Sequence, residues 1–248
     1  MSQTESSDPV ISCVLNGHRE GALIYPTIRS AKRTIEHTRS AGVATELVAV
    51  LDRADQQTSI IVERELKDYG RVLHVDHGDL GLARNRGVAH SRGNYIGFLD
   101  GDDMWCREWI VDAYELCSKH EKDVIVHPEH NIYFGDDSAH TLQHIDMESP
   151  EFEFEYLLRQ NYWTALSFAA KSTYRQIPFR RNDIENGFGF EDWTWNVETI
   201  RNGFLHKTAK GTSHFIRRGK QQESLLNNTN RGRSVPRVLD VYSQWRAA

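Results

Sequence analysis

The chain has 248 residues, 39% hydrophobic and 26% charged, with a formal net charge of -5. That length and apolar content suit one large α/β domain, or a domain with a small appended lobe. The acidic balance argues against a general nucleic-acid binder, whose surface would be biased to lysine and arginine, but it leaves room for a local basic pocket.

After a polar start over residues 1–8, expected to be disordered, the first half alternates strand and helix patterns. Val10 to Leu15 is a short apolar run that stops at Asn16-Gly17, a buried strand followed by a loop. Leu23 to Ser40 reads as a helix, Glu46 to Leu51 as a second buried strand ending on Asp52-Arg53, and Gln57 to Tyr69 as a helix stopped by Gly70. Arg71 to Val75 is a third strand, Leu82 to Ser91 a helix and Asn94 to Leu99 a fourth strand. Strands that alternate with helices and lack polar–apolar alternation predict a parallel sheet covered on both faces, with ligands bound beyond the carboxyl ends of its strands. Three of those ends carry unusual polar residues: Asn16 to Glu20, Asp52, and Asp100 to Asp103.

The second half is less regular. Trp109 to His120 reads as a helix, Asp123 to His127 and Ile132 to Phe134 as strands, and Glu151 to Arg159 as an acidic, aromatic helix. Leu166 to Ala170 is a further strand, Phe190 to Asn202 a Trp-rich helix, Leu225 to Ser234 a polar loop and Pro236 to Arg246 a final helix. The change near residue 128 marks a shift of pattern inside one domain spanning 9–248. Cys13, Cys106 and Cys117 form no CxxC pair, which speaks against a zinc knuckle or disulfide framework and for thiols in a reducing compartment. No apolar run approaches the ~20 residues of a membrane span, and the acidic start is not a signal peptide. A cytoplasmic protein is expected, with association at the inner face of a membrane left open.

Phe98-Leu-Asp-Gly-Asp-Asp103 places three carboxylates directly after an apolar strand. Acids gathered there repel one another and lose solvation unless a cation is present. Hard oxygen ligands select Mg²⁺ or Mn²⁺ and suit a metal shared with a substrate diphosphate. The plain alternative is a solvated acidic turn, since Asp and Gly are common in turns.

Upstream, Gly81-Leu-Ala-Arg-Asn-Arg-Gly87 leads into Gly93-Asn-Tyr-Ile-Gly-Phe-Leu-Asp-Gly-Asp-Asp103. This closely resembles the signature of family 2 glycosyltransferases, in which an ARN-x-G helix precedes a G-x-Y-I-x-F-L-D-x-D-D strand. The resemblance implies the glycosyltransferase-A fold, a Rossmann-like, mostly parallel sheet sandwiched by helices with an irregular C-terminal region on the acceptor side. It also implies a nucleotide-diphosphate-sugar donor, UDP or dTDP favoured, a divalent Mn²⁺ or Mg²⁺, and inversion at the anomeric carbon. Residues 9–128 would then be the nucleotide-sugar-binding half and 129–248 the acceptor half.

Carried over by position, Asp102 is the metal ligand, Asp103 a further ligand, and Asp100 with Gly101 lies near the donor ribose and sugar. Asp52 matches the acid that accepts from the nucleobase, the alternative being a helix N-cap; the family's two adjacent acids and Gly-Ser are replaced here by Asp52-Arg53-Ala54. In the first loop Asn16-Gly-His-Arg-Glu20 replaces Pro-Thr-Tyr-Asn, so Asn16, His18 and Glu20 are donor-side candidates, His18 at the tyrosine position able to stack on a base. Arg84 is expected beside the nucleotide phosphates, where a guanidinium makes paired hydrogen bonds.

Gly187-Phe-Gly-Phe-Glu-Asp-Trp-Thr-Trp195 resembles the family's ED motif. Asp192 holds the place of the general base on the acceptor hydroxyl and Glu191 that of an orienting acid; alternatively both merely favour a helix start. At most one of Trp163, Trp193 and Trp195 is expected as a sugar platform. His214-Phe-Ile-Arg-Arg-Gly-Lys220 lies where relatives close a loop over the diphosphate, making His214 a candidate third metal ligand and Arg217, Arg218 and Lys220 candidates for leaving-group neutralisation. His74-x-x-His77 and His127-x-x-His130 lack a zinc context and read as ordinary loop histidines. The processive signature QxxRW is absent. The expected activity is transfer of one sugar to a glycan or glycolipid, with no nucleic-acid partner. The competing readings are a sugar-phosphate nucleotidyltransferase, a phosphatase with an Asp nucleophile, and a non-catalytic glycan-binding module.

Overall fold

The structure, a computed structural model, describes residues 8–120, 123–135, 139–219 and 234–238. Ile11–Gly17 forms β1, buried along its whole length because it runs parallel between β2 (Thr45–Asp52) and β4 (Tyr95–Asp100). β3 (Arg71–Val75) pairs parallel with the outer side of β2. Successive side chains point to opposite faces. Ile11, Cys13 and Leu15 therefore meet α1 (Ile24–Ser40), α2 (Gln56–Leu66) and α4 (Trp109–Lys119), whereas Val14, Val50 and Phe98 meet α3 (Leu80–His90), α5 (Lys171–Gln176) and α6 (Glu191–Arg201). One face of α3 must come very close to the sheet. A Cβ on Gly87 would lie 2.4 Å from Val14 Cγ1, so only glycine fits there.

Beyond β4 the sheet ceases to be parallel. β8 (Phe168–Ala170) runs antiparallel to β4 and to β6 (Val124–Gly135), which lies parallel to β9 (Leu205–Arg218). β5 (Met104–Trp105) closes that edge antiparallel to β9, and β7 (His140–Gln143) hangs antiparallel on β6. The order is β3-β2-β1-β4-β8-β6-β9-β5, so the expected mostly parallel sheet holds for the first four strands and gives way to a mixed one.

Several second-half expectations change. The strand expected at Ile132–Phe134 is the distal part of β6. The acidic, aromatic helix shrinks to a 3-10 turn at Phe154–Leu158, its Trp-anchored neighbours fixing the chain instead of a helical ladder. The basic stretch around His214, expected as a loop, is the end of β9. The Leu225–Ser234 loop and the Pro236–Arg246 helix lie almost wholly outside the described residues, as does Lys220. All three cysteines are free. No helix among the described residues is long and apolar enough to cross a membrane.

Candidate active site

The parallel register sets Asn16 beside Asp100 and Gly17 beside Leu51, so the polar ends of β1, β2 and β4 share one edge. Asn16 is buried there with neither its amide oxygen nor its nitrogen hydrogen-bonded. A buried amide left unpaired costs about 1–3 kcal/mol, so this orphan marks a place that a polar ligand would complete. Glu20 folds back over the tetrad. Its carboxyl accepts the His18 N–H, and a Cβ on Gly101 would lie 2.8 Å from Glu20 Cδ and 2.9 Å from the Asn16 carbonyl oxygen. Burial, with Asp102 and Asp100 close by, pushes the Glu20 carboxyl up to about 7. The exposed His18 ring is pinned by Nδ1 to the Asp52 carbonyl, which fixes Nδ1 as the donor.

Asp52 is 7% exposed and accepts three backbone N–H groups, from His77, Gly78 and Asp79, at 2.7–3.0 Å. It shapes the loop after β3, leaving about one of a carboxylate's four acceptor sites for anything else. It caps no helix; Asp55 N-caps α2 through the Thr58 N–H.

The ARN signature resolves into separate jobs. Arg84 is 1% exposed. Its Nη2 bonds both Asp100 oxygens at 3.1 Å and its Nη1 bonds Glu191 Oε1 at 2.9 Å, with the guanidinium carbon 5.4 Å from the Phe179 ring centre. The paired hydrogen bonds expected for nucleotide phosphates are made here to two carboxylates. Asn85 donates to the Phe179 carbonyl at 2.8 Å and accepts the Phe179 N–H at 3.0 Å, so its amide clasps that residue as a neighbouring strand would. Gly81 admits the Arg180 carbonyl, which would lie 2.7 Å from a Cβ. Asn182 then bonds Asp79 and, at 3.0 Å, Glu191 Oε2. Neither Asn182 nor Asp79 stood out in the sequence, since a lone Asn or Asp in a polar break has no periodicity or spacing to mark it.

The tetrad divides as sharply. Asp100 is held by Arg84. Asp103 is buried and accepts the Arg217 N–H at 2.8 Å; burial and its neighbours Asp102 and Asp100 push its carboxyl well above the usual range. This bond ties the loop carrying the expected further ligand to β9. The Asp102 carboxyl is pushed up to about 6 by burial and by Asp100, with its own backbone N–H, Arg217 and Arg218 pulling the other way. His214, the candidate third metal ligand, has neither ring nitrogen hydrogen-bonded among the described residues. Its ring is fully buried edge-on to Trp109, 4.7 Å between centroids, and burial lowers its basicity far below normal. Among the described residues no group of three His, Cys, Asp or Glu side chains forms a ready-made metal cage. The residues still fit a hard cation of the Mg²⁺ type, which is commonly held by one or two carboxylates plus substrate phosphates and water, with Asp102 the available carboxylate.

Across Arg84, Glu191 and Asp192 open α6 after Phe190, which adopts a left-handed conformation at φ 56°. Non-glycine residues pay about 1–3 kcal/mol to sit there. Asp192 is partly accessible yet closely surrounded; burial, with Glu191 beside it, pushes its carboxyl up to about 7 while Arg84 opposes the rise. Trp163 and Trp195 are core residues, leaving the half-buried Trp193 as the one tryptophan of the three near the surface.

His127 departs from its loop reading. It is fully buried on β6 and bonds His206 at 2.9 Å, both rings stacked with Trp163. His206 in turn bonds Thr199 of α6 at 2.8 Å.

The family model described as "Glycosyl transferase family 2" matches residues 10–181. The chain belongs to glycosyltransferase family 2. It is 33% identical over 82 residues to the "Uncharacterized glycosyltransferase EpsJ" of Bacillus subtilis, a match covering 32% of this chain and 24% of that relative. It is 29% identical over 114 residues to the poly(ribitol-phosphate) beta-N-acetylglucosaminyltransferase TarS of Staphylococcus aureus, covering 42% of this chain and 20% of TarS. These matches therefore span a quarter or less of the relatives' lengths. In structure the family 2 chain resembles TarS 1-349 in complex with UDP at a TM-score of 0.62 and 15% identity, covering 93% of this chain and 68% of that one. It also resembles the mannosyltransferase PcManGT of Pyrobaculum calidifontis in complex with GDP-Man and Mn²⁺, at a TM-score of 0.61 and 13% identity over 87% of this chain and 59% of that one. These likenesses establish the glycosyltransferase-A type of fold.

Proposed function

We propose that the protein is an inverting glycosyltransferase moving a sugar from a UDP-sugar to a hydroxyl of a glycan or glycolipid, with Asp102 as metal ligand and Asp192 as general base. The observation that carries this reading is the buried Arg84, which fastens Asp100 of the donor loop to Glu191 of the acceptor helix and so holds the two acidic motifs at one site. An inverting displacement needs a base on the acceptor side and stabilisation of the diphosphate leaving on the other. Asp192, with its carboxyl pushed up to about 7, can take a proton from the attacking hydroxyl near neutral pH. A bound Mn²⁺ or Mg²⁺ would supply Lewis-acid stabilisation of the departing diphosphate. Arg217 and Arg218, whose charges act on Asp102, add positive potential on the same side.

The orphan Asn16 amide, the pinned His18 ring and Glu20 form the donor-side wall, with Asp52 shaping the loop next to it. The lean to UDP follows the TarS complexes with UDP and UDP-GlcNAc, although GDP-Man in PcManGT shows that the fold accepts another base. Free thiols fit work in the cytoplasm.

The test uses UDP-GlcNAc with Mn²⁺, following its turnover to UDP, and UDP binding by calorimetry. Asp192→Asn should leave UDP binding intact and slow turnover by about 10²–10⁴-fold. Near-wild-type turnover would remove Asp192 from the base role.

A further inference from the structure

Asp192 has a neighbour that no sequence motif contains. Asn161 lies in the stretch after the 3-10 turn, clamped between two tryptophan anchors: Trp163 Nε1 donates to the Ile145 carbonyl and Trp193 Nε1 to the Leu157 carbonyl, both at 2.7 Å. Its Nδ2 lies 3.4 Å from Asp192 Oδ2. Its Oδ1 accepts from Asn196 Nδ2 at 2.9 Å, and Asn196 is a buried residue one helical turn beyond Asp192 on α6. An amide has a donor end and an acceptor end. Asn196 presents a donor, so it takes the oxygen of Asn161 and turns the Asn161 nitrogen toward the carboxylate.

We propose that Asn161 is a positioning residue for the base, oriented by Asn196 so that its N–H donates to the Asp192 carboxylate and favours the ionised form. This deepens the general-base reading and rests on it for its catalytic meaning. The charges facing Asp192 are Glu191 on its own helix, which disfavours ionisation, and Arg84 from α3, which favours it. Backbone N–H groups of Trp193 and Asp192 favour the ionised form from its own helix, and Asn161 adds a hydrogen bond to Oδ2 from a third direction. In the opposite orientation, lone pairs of the amide oxygen would face those of the carboxylate.

The test reads Asp192 directly, by ¹³C NMR titration of carboxyl-labelled aspartate in the full chain, its resonance assigned by loss in Asp192→Asn. This needs no substrate, so it stands apart from the turnover test of the base. Asn161→Ala should raise the Asp192 midpoint by about half to one pH unit, the range expected for one long charge-assisted hydrogen bond. Asn196→Asp should raise it at least as far, because a carboxylate at 196 accepts from Asn161 and flips the amide. With UDP-GlcNAc and Mn²⁺, the acid limb of turnover should move by the same amount. An Asp192 midpoint within 0.2 unit, taken as about the resolution of the titration, in Asn161→Ala would overturn the proposal. If Asn196→Asp fails to fold, Asn161→Ala decides alone, since Asn161 is only half-buried.

Discussion

Replacing Arg84 by methionine keeps the length and apolar stem of the side chain but leaves Asp100 and Glu191 facing each other without a cation. Removing one partner of a buried ion pair typically costs about 3–5 kcal/mol, because the remaining charge stays desolvated. Here the Asp100 side chain is 27% exposed and Glu191 12%, so water recovers part of that loss. The loss of the cation over Phe179 adds about 0.5–1 kcal/mol. A net cost of about 2–4 kcal/mol follows, which for a chain of this size lowers Tm by about 5–12 °C. Differential scanning calorimetry at pH 7.5 measures it directly. Arg84→Lys should fall between the two, since an ammonium restores the charge without the fork that reaches both carboxylates. Methionine also removes the nearby positive charge that favours ionised Asp192, so turnover of UDP-GlcNAc should fall even where the protein stays folded. A Tm for Arg84→Met within about 2 °C of wild type would refute the bridge as a structural element.

Asp102→Asn should weaken UDP binding in Mn²⁺ by at least about tenfold while leaving metal-free binding of UDP unchanged, as calorimetry with and without EDTA would show. Gly87→Ala should destabilise the fold by about 1–3 kcal/mol, read by urea unfolding, since its Cβ would meet Val14 and lift α3 from the sheet. His144 and His206 are buried, which depresses them to about 4 and about 3, and buried His127 is also held far below its usual value. The unfolded chain therefore binds protons that the folded chain refuses, so their contribution is complete above about 6.5 and is lost as pH falls toward 4. His206→Gln should flatten that dependence in urea titrations between pH 7 and 5, and an unchanged slope would show that the cluster does not titrate with folding.

The first half of the fold was legible because each of its strands is a local apolar run closed by polar residues, and each helix has a stop such as Gly42 or Gly70. The tetrad and the Glu191-Asp192 pair were legible because chemistry compresses them into adjacent residues. What the sequence hid is what depends on long-range pairing. β9 reads Leu-His-Lys-Thr-Ala-Lys-Gly-Thr-Ser-His-Phe-Ile-Arg-Arg, with no regular alternation, and its strand state is decided by its partners β6 and β5. The same holds for Arg84, whose bond to Glu191, more than a hundred residues away, only the fold supplies. The burial of His214 was hidden for a related reason, since pairing with Trp105 on β5 carries its ring into the core.

The acids of the site differ in how their charge is compensated. Asp100 and Glu191 share one guanidinium, and Asp103 has the Arg217 N–H. Asp52 has three backbone donors. Asp102 has its own backbone N–H, and Asp192 has the backbone N–H groups of Trp193 and Asp192 and the long contact from Asn161; burial and like-charged neighbours still push them up to about 6 and about 7. A fold selected only for stability would pair or remove such groups, since each raised carboxyl costs stability at neutral pH. Glu20 and Asp103 bear the same cost beside Asp102, and Asp192 bears it on α6, across Arg84. That placement is what a displacement needs if one carboxylate is to meet a cation and the other a proton.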